Sequence, residues 1–249
     1  MPNLNLLLSS MENDDEKMDL MGELFNKIEE QVRQILLFGP SNTPQTERAA
    51  FIYHDSRKRK FFPAQYRKVE LEALPAVIAN SFYYAEHECG AAFDLQESMR
   101  AAFLYGTGTC ECFSAVGVYL LAKEYDVKLS IETIFSNESH TYIRLHTQPE
   151  YIMDFWSSML CTYSDNATWN EILGDTYPRS KEARYQTDTT LNSTQLLEIG
   201  AQVFTEGNTT RRVALIEAVN EKMDKILEQY SVQRDQNPEH NVQIRRITG

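Results

Sequence analysis

The sequence predicts an α+β fold, and three observations carry that expectation. From Asp14 onward, Met18, Met21, Leu24, Phe25, Ile28, Val32, Ile35 and Leu36 recur at three- and four-residue steps, the period of a helix with one buried face. After Cys110 the apolar positions Ala115, Val116, Val118, Tyr119, Leu120 and Leu121 are almost continuous, which fits a helix buried on most sides. Three β-forming runs, 127–135, 140–145 and 151–156, then follow across short polar turns. Strands joined this closely pair antiparallel, and a helix leading into such a meander is an α+β arrangement.

The 249 residues are enough to bury a sizeable core. The expected organisation is a loose tail at 1–12, one domain over 13–230 with helical additions, and a polar tail at 231–249. The helix from Asp14 is expected to end at Gly39-Pro40, since glycine suits a C-terminal cap and proline cannot continue the helix. Ser41 to Thr46 is polar and carries a proline, which predicts a loop, and Ala49 to Tyr66 suggests a short hairpin. Val69 to about Glu88 predicts a helix entered or bent near Pro75, and Phe93 to Tyr105 a further one. Beyond Trp156 an irregular region is expected to about Asn192, with a short helix near Trp169 to Leu173. Two last helices are expected, Thr194 to Phe204 and Arg211 to Tyr230.

A formal net charge of −12 argues against broad affinity for nucleic acid or anionic lipid, because both need positive charge to displace counterions. The basic run Arg57-Lys58-Arg59-Lys60 reads as a solvated turn, with a partner-binding patch as the alternative. No apolar run approaches the roughly 20 residues of a spanning helix, and the N-terminus lacks the basic region of a signal peptide. Cys89, Cys110, Cys112 and Cys161 have neither the paired Cys-x-x-Cys spacing of a zinc site nor the density of a disulfide framework. A reducing, cytoplasmic workplace is expected, with no metal and no cofactor.

Chemistry concentrates between Gly108 and Asp154. A bendable Gly106-Thr107-Gly108-Thr109 stretch sets Cys110 at a helix start, where unpaired N–H groups and the positive end of the dipole favour a thiolate. A thiol needs a nearby base, and His140 supplies one from the second strand. Asp154, in the third, can accept the other imidazole N–H and fix the tautomer. Side chains two apart on a strand share a face, so His140 and Asp154 are both expected to point toward the helix that carries Cys110.

These residues resemble the transglutaminase-like branch of the papain-like cysteine enzymes, and within it bacterial effector and toxin members. Their sites read roughly Gly-Asn-Cys-Gly-Glu, Asp-His-Ala-Phe-Val and Val-Asp-Pro-Trp. Here the corresponding stretches are Gly108-Thr109-Cys110-Glu111-Cys112, Ser139-His140-Thr141-Tyr142-Ile143 and Met153-Asp154-Phe155-Trp156. The residue after Cys110 is not small, and Phe155 stands where proline is common. The resemblance implies a papain-like/transglutaminase-like core, in which the central cysteine helix packs on an antiparallel sheet with extra helices at both ends. It implies Cys110 as nucleophile, His140 as general base and acid, and Asp154 as orienter. Such enzymes act on amides through a thioester, as glutamine deamidases, proteases or transglutaminases. The first expectation is a deamidase acting on a protein glutamine, an effector delivered into a host cell with a host protein as substrate. A degenerate member serving as a protein-binding module is the non-enzymatic alternative.

Competing assignments remain for several residues. Taken alone, Cys110 reads as a buried inert cysteine. Cys112 is the rival nucleophile, but about 200° round the helix from Cys110 it reads as core. A zinc site from Cys110, Cys112, His140 and Cys161 is awkward for the same reason. Gln96 is a candidate second oxyanion donor beside the Cys110 N–H, and Asp165 a second candidate orienter set in a turn. Trp156 reads as core or as a wall of the acyl pocket, and His146 as a strand-end histidine.

Overall fold

A computed structural model of the chain describes residues 1–54, 68–86, 94–135, 139–165 and 184–234. Its elements begin with α1 (Leu4–Ser9), α2 (Asp14–Ile35), β1 (Gly39–Pro40), α3 (Pro44–His54), α4 (Lys68–Glu86), α5 (Leu95–Tyr105) and β2 (Thr107–Gly108). They continue with α6 (Cys110–Glu124), β3 (Lys128–Phe135), β4 (Ser139–Leu145), β5 (Tyr151–Asp154), β6 (Met159–Thr162), β7 (Arg184–Asn192), α7 (Ser193–Val203) and α8 (Glu206–Arg234). The fold is α+β with an antiparallel sheet. Where the sequence reading has one domain, the contacts divide the chain into two compact units: Met1–Ile35 with Ala92–Arg100 and Cys110–Phe204, and Leu36–Ala91 with Ala101–Thr109 and Thr205–Gly249.

The first unit is built on a five-stranded sheet in the order β6-β5-β4-β3-β7, antiparallel at every pairing. The expected meander forms its middle, β5-β4-β3. The two outer strands fall in the stretch expected to be irregular. β6 has only four residues, and β7 reads Arg-Tyr-Gln-Thr-Asp-Thr-Thr-Leu-Asn, a polar run without alternation whose threonines still suit a pleated surface. α6 packs on this sheet through Gly117, where a Cβ would lie 2.5 Å from the Phe155 ring and 3.0 Å from Ile143. α7 approaches α6 closely in turn: a Cβ on Gly200 would lie 2.0 Å from the Tyr119 ring. α2 covers the turn after β5, with Phe25 stacked on Phe155 at 5.0 Å between centroids.

The N-terminus is not a loose tail. The Asn3 side chain caps α1 by accepting the Leu6 N–H, and Leu4 and Leu8, four apart on one helical face, are fully buried. Asn3 also bridges Asp126 through backbone and side chain. A cap followed by two leucines at helical spacing was the local signal.

The second unit holds the paired β1 and β2 and a helical core from α3, α4 and α8, with Leu74, Ile78, Val219 and Met223 at its centre. α2 stops at Ile35, short of the expected Gly39-Pro40, and Gly39 instead takes a left-handed φ of +74° in the turn beyond. Of the loop expected at 41–46, Ser41 to Thr43 are irregular as expected, while 44–46 and the start of the expected hairpin are replaced by α3. Thr43 and Thr46 exchange side-chain and backbone bonds at its start, and Pro44 sits in its first turn, where a missing N–H costs nothing. Pro75 lies inside α4. The rest of the hairpin, the basic run Arg57 to Lys60, Cys89, the helix expected at Trp169 to Leu173 and the tail from 235 lie outside the described residues; Ser231 to Arg234 continue α8.

Candidate active site

Cys110 is the first residue of α6, and its side chain is buried, with the residue 5% exposed. At that place the first N–H groups of the helix have no intrahelical acceptor and carry the positive end of the helix dipole. His140 is the first buried residue of β4, and Asp154 is the last residue of β5. They are 4% and 1% exposed.

The imidazole and the carboxylate form one bond. His140 Nε2 lies 2.6 Å from Asp154 Oδ2, and the carboxylate fixes Nε2 as the donor. The other carboxylate oxygen, Oδ1, accepts the backbone N–H of Trp156 and of Ser157, each at 3.1 Å. Asp154 is thus held by the turn that follows it. With Nε2 engaged, Nδ1 is the ring nitrogen left to exchange a proton with a thiol. Burial works against a charged imidazole here, but the Asp154 charge and hydrogen bond, together with hydrogen bonding and charge at Cys110, outweigh it and push His140 up to about 10.

Register explains how the three meet. Ile134 pairs with His140, Glu132 with Tyr142 and Arg144 with Ile152, so His140 and Asp154 share the sheet face of Ile134, Tyr142 and Ile152. The flank of α6 packs the opposite face, at Ile143. The sequence reading has both side chains pointing toward the helix; in the structure it is the helix's first residue, not its flank, that acts on the imidazole.

One neighbour was not read from the sequence as part of the site. The Ser114 hydroxyl, one helical turn beyond Cys110, donates to the backbone carbonyl of Thr141 at 3.3 Å. It ties the nucleophile's helix to the residue next to His140. The i, i+4 spacing from Cys110 was the available signal. Thr141 is itself bonded to Thr133 across the sheet at 3.0 Å, and Thr133 donates to Asp188. Trp156 lies with its ring centroid 5.2 Å from that of His140, tilted by 59°, and walls the imidazole on one side.

The other candidates lie elsewhere. Cys112 is half-buried on α6, and Gln96 is exposed in the first turn of α5. Asp165 is exposed and bonds back to Thr162 through its backbone. Cys161 sits across from Ile152; burial first, then the charges of Asp165 and Asp154, push its thiol up to about 11. Among the described residues no group of three or more His, Cys, Asp or Glu side chains is arranged to hold a metal ion, and none of the helices is long and apolar enough to cross a membrane. No protein-family model matches the chain, and no curated protein matches it.

Proposed function

We propose that this protein is a cysteine-dependent amide hydrolase with a papain-like/transglutaminase-like core, acting on the glutamine side chain of a protein. The observation that supports it most is the buried His140–Asp154 bond of 2.6 Å, with Cys110 acting on the same ring. In this reading His140 Nδ1 holds the thiol proton, as the imidazolium its surroundings favour, and the thiolate attacks the glutamine Cδ. Charge on the amide oxygen is met by the Cys110 backbone N–H at the helix start. Collapse of the adduct, with His140 returning the proton to nitrogen, releases ammonia and leaves a thioester. Water, deprotonated by His140, then cleaves the thioester to glutamate and restores the thiol. Asp154 stabilises the imidazolium at each stage. Proteolysis or amine transfer would use the same three residues with a different amide or acceptor. Delivery into a host cell, with a host protein as substrate, is part of the proposal and rests on the resemblance of the three site stretches.

One observation favours a second reading. All three side chains are almost fully buried, as they would be in a degenerate member whose triad has become a satisfied polar cluster and whose role is to bind a protein. Alkylation separates the two. Wild type and His140→Ala are treated with iodoacetamide from pH 5 to 9 and the labelled cysteines mapped. At pH 6 an ordinary thiol of pKa about 8.5 is only about 0.3% thiolate, so an activated one should react roughly 10- to 100-fold faster than free N-acetylcysteine, the reference because burial suppresses Cys161. The enzymatic reading expects that excess at Cys110 and its loss in His140→Ala. A Cys110 that reacts no faster than free N-acetylcysteine in both proteins would remove it.

A further inference from the structure

A second site lies about six residues further along β4 from His140, roughly 20 Å away at about 3.3 Å per residue. Here the N-terminal segment, the start of β3, the end of β4 and the junction of β7 with α7 line a half-open pocket of about 400 Å³. That is within the range of small-molecule sites, about 300–1,000 Å³. One lining residue, His146, is held by a fixed polar chain. Ser130 lies 2.6 Å from His146 Nε2, and His146 Nδ1 lies 3.0 Å from Glu150. This chain has the order of a serine hydrolase triad. Ser130, however, is 1% exposed in the middle of a strand paired on both sides, and its hydroxyl is also bonded to Thr190, so no nucleophile or oxyanion hole is presented. The chain serves as scaffold, with both imidazole nitrogens occupied.

The groups that face the cavity carry opposite demands. Asn5 is among the lining residues, but its side-chain oxygen is buried and out of a ligand's reach. Asp126 adds a carboxylate whose position is set by Asn3 at 2.9 Å. Two residues on, Lys128 adds an ammonium. Residues two apart on an extended chain are about 7 Å apart, a separation a single small zwitterion can bridge. Gln195 is fixed by the capping box that opens α7, in which its side-chain oxygen accepts the Asn192 N–H, leaving its amide NH₂ as a donor. An acceptor thus stands at Asp126, and donors at Lys128 and Gln195.

We propose that this pocket binds a free α-amino acid, its ammonium at Asp126 and its carboxylate at Lys128 and Gln195. The site is separate from the triad and does not depend on its activity. Calorimetric titration of the full chain with each of the common L-amino acids tests it, alongside the N-acetyl and C-amide derivatives of any that bind. The expected result is saturable binding of at least one amino acid, lost on either derivatisation. Lys128→Gln should weaken it at least tenfold, Lys128→Arg should retain it, and Cys110→Ser should leave it unchanged. Absence of binding by every amino acid at 10 mM would overturn the proposal. So would equal binding of the blocked derivatives, full affinity in Lys128→Gln, or loss in Cys110→Ser, which would place the ligand at the triad.

Discussion

His140 sits between two groups that both favour its charged form, and the consequence can be read in stability. Its folded value of about 10 lies above the ordinary 6.5, so across that interval the folded chain holds a proton that the unfolded chain releases. The contribution is complete below about pH 6.5 and is lost as pH rises through about 10. Urea unfolding of wild type and His140→Gln at half-unit steps from pH 6 to 10 isolates it from other titrations. The wild-type advantage should shrink by at most about 1.4 kcal/mol per pH unit, one proton's worth. A difference flat with pH would mean that the ring is neutral in the fold. At this scale the triad was legible because Cys110, His140 and Asp154 each carry their chemistry in the side chain. Its supports were not. The Trp156 and Ser157 donors to Asp154 are backbone groups that no residue type announces, and Ser114 acts through a carbonyl.

At the scale of elements, the seating of α6 on the sheet depends on the missing side chain at Gly117. Replacing glycine by alanine in a helix normally stabilises it by about 1 kcal/mol. Here the new methyl would come within 2.5 Å of Phe155, a ring 2% exposed and stacked on Phe25, which leaves it nowhere to move. Overpacking of this kind costs about 1–3 kcal/mol, so the packing term wins. Gly117→Ala should therefore lose about 1–2 kcal/mol by chemical denaturation, and a gain would show that the ring yields. Phe155 follows Asp154, so the same change should also slow Cys110 alkylation. The sequence made α6 and the three central strands readable because their apolar residues run at the right period. β7 stayed hidden because Thr187, Thr189 and Thr190 are polar while favouring extended backbone, and a bulge between Ile131 and Glu132 breaks its register against β3. α3 was missed because Thr43-Pro44 reads as a loop until the side-chain exchange between Thr43 and Thr46 is seen.

For the molecule as a whole, the question is how a reagent or a substrate reaches a thiol that is 95% covered, since Cys110 is 5% exposed. Two routes differ in size. In the first, only a local segment moves. The turn after β5 is suited to it, because Ser158 has a left-handed φ of 60° and its hydroxyl is bonded to Arg33 on α2 at 2.6 Å. In the second, the thiol is reached only when the whole sheet unit unfolds. Urea distinguishes them, because the slope of opening free energy against denaturant measures the surface exposed. An enzyme needs the first route, so Cys110 labelling should accelerate with urea far less steeply than global unfolding. Arg33→Ala should raise the labelling rate roughly 2- to 5-fold in water, the effect of losing one hydrogen bond of about 0.5–1 kcal/mol. Should labelling follow global unfolding slope for slope, with Arg33→Ala acting only through stability, the triad is a sealed polar cluster and the binding-module reading takes its place.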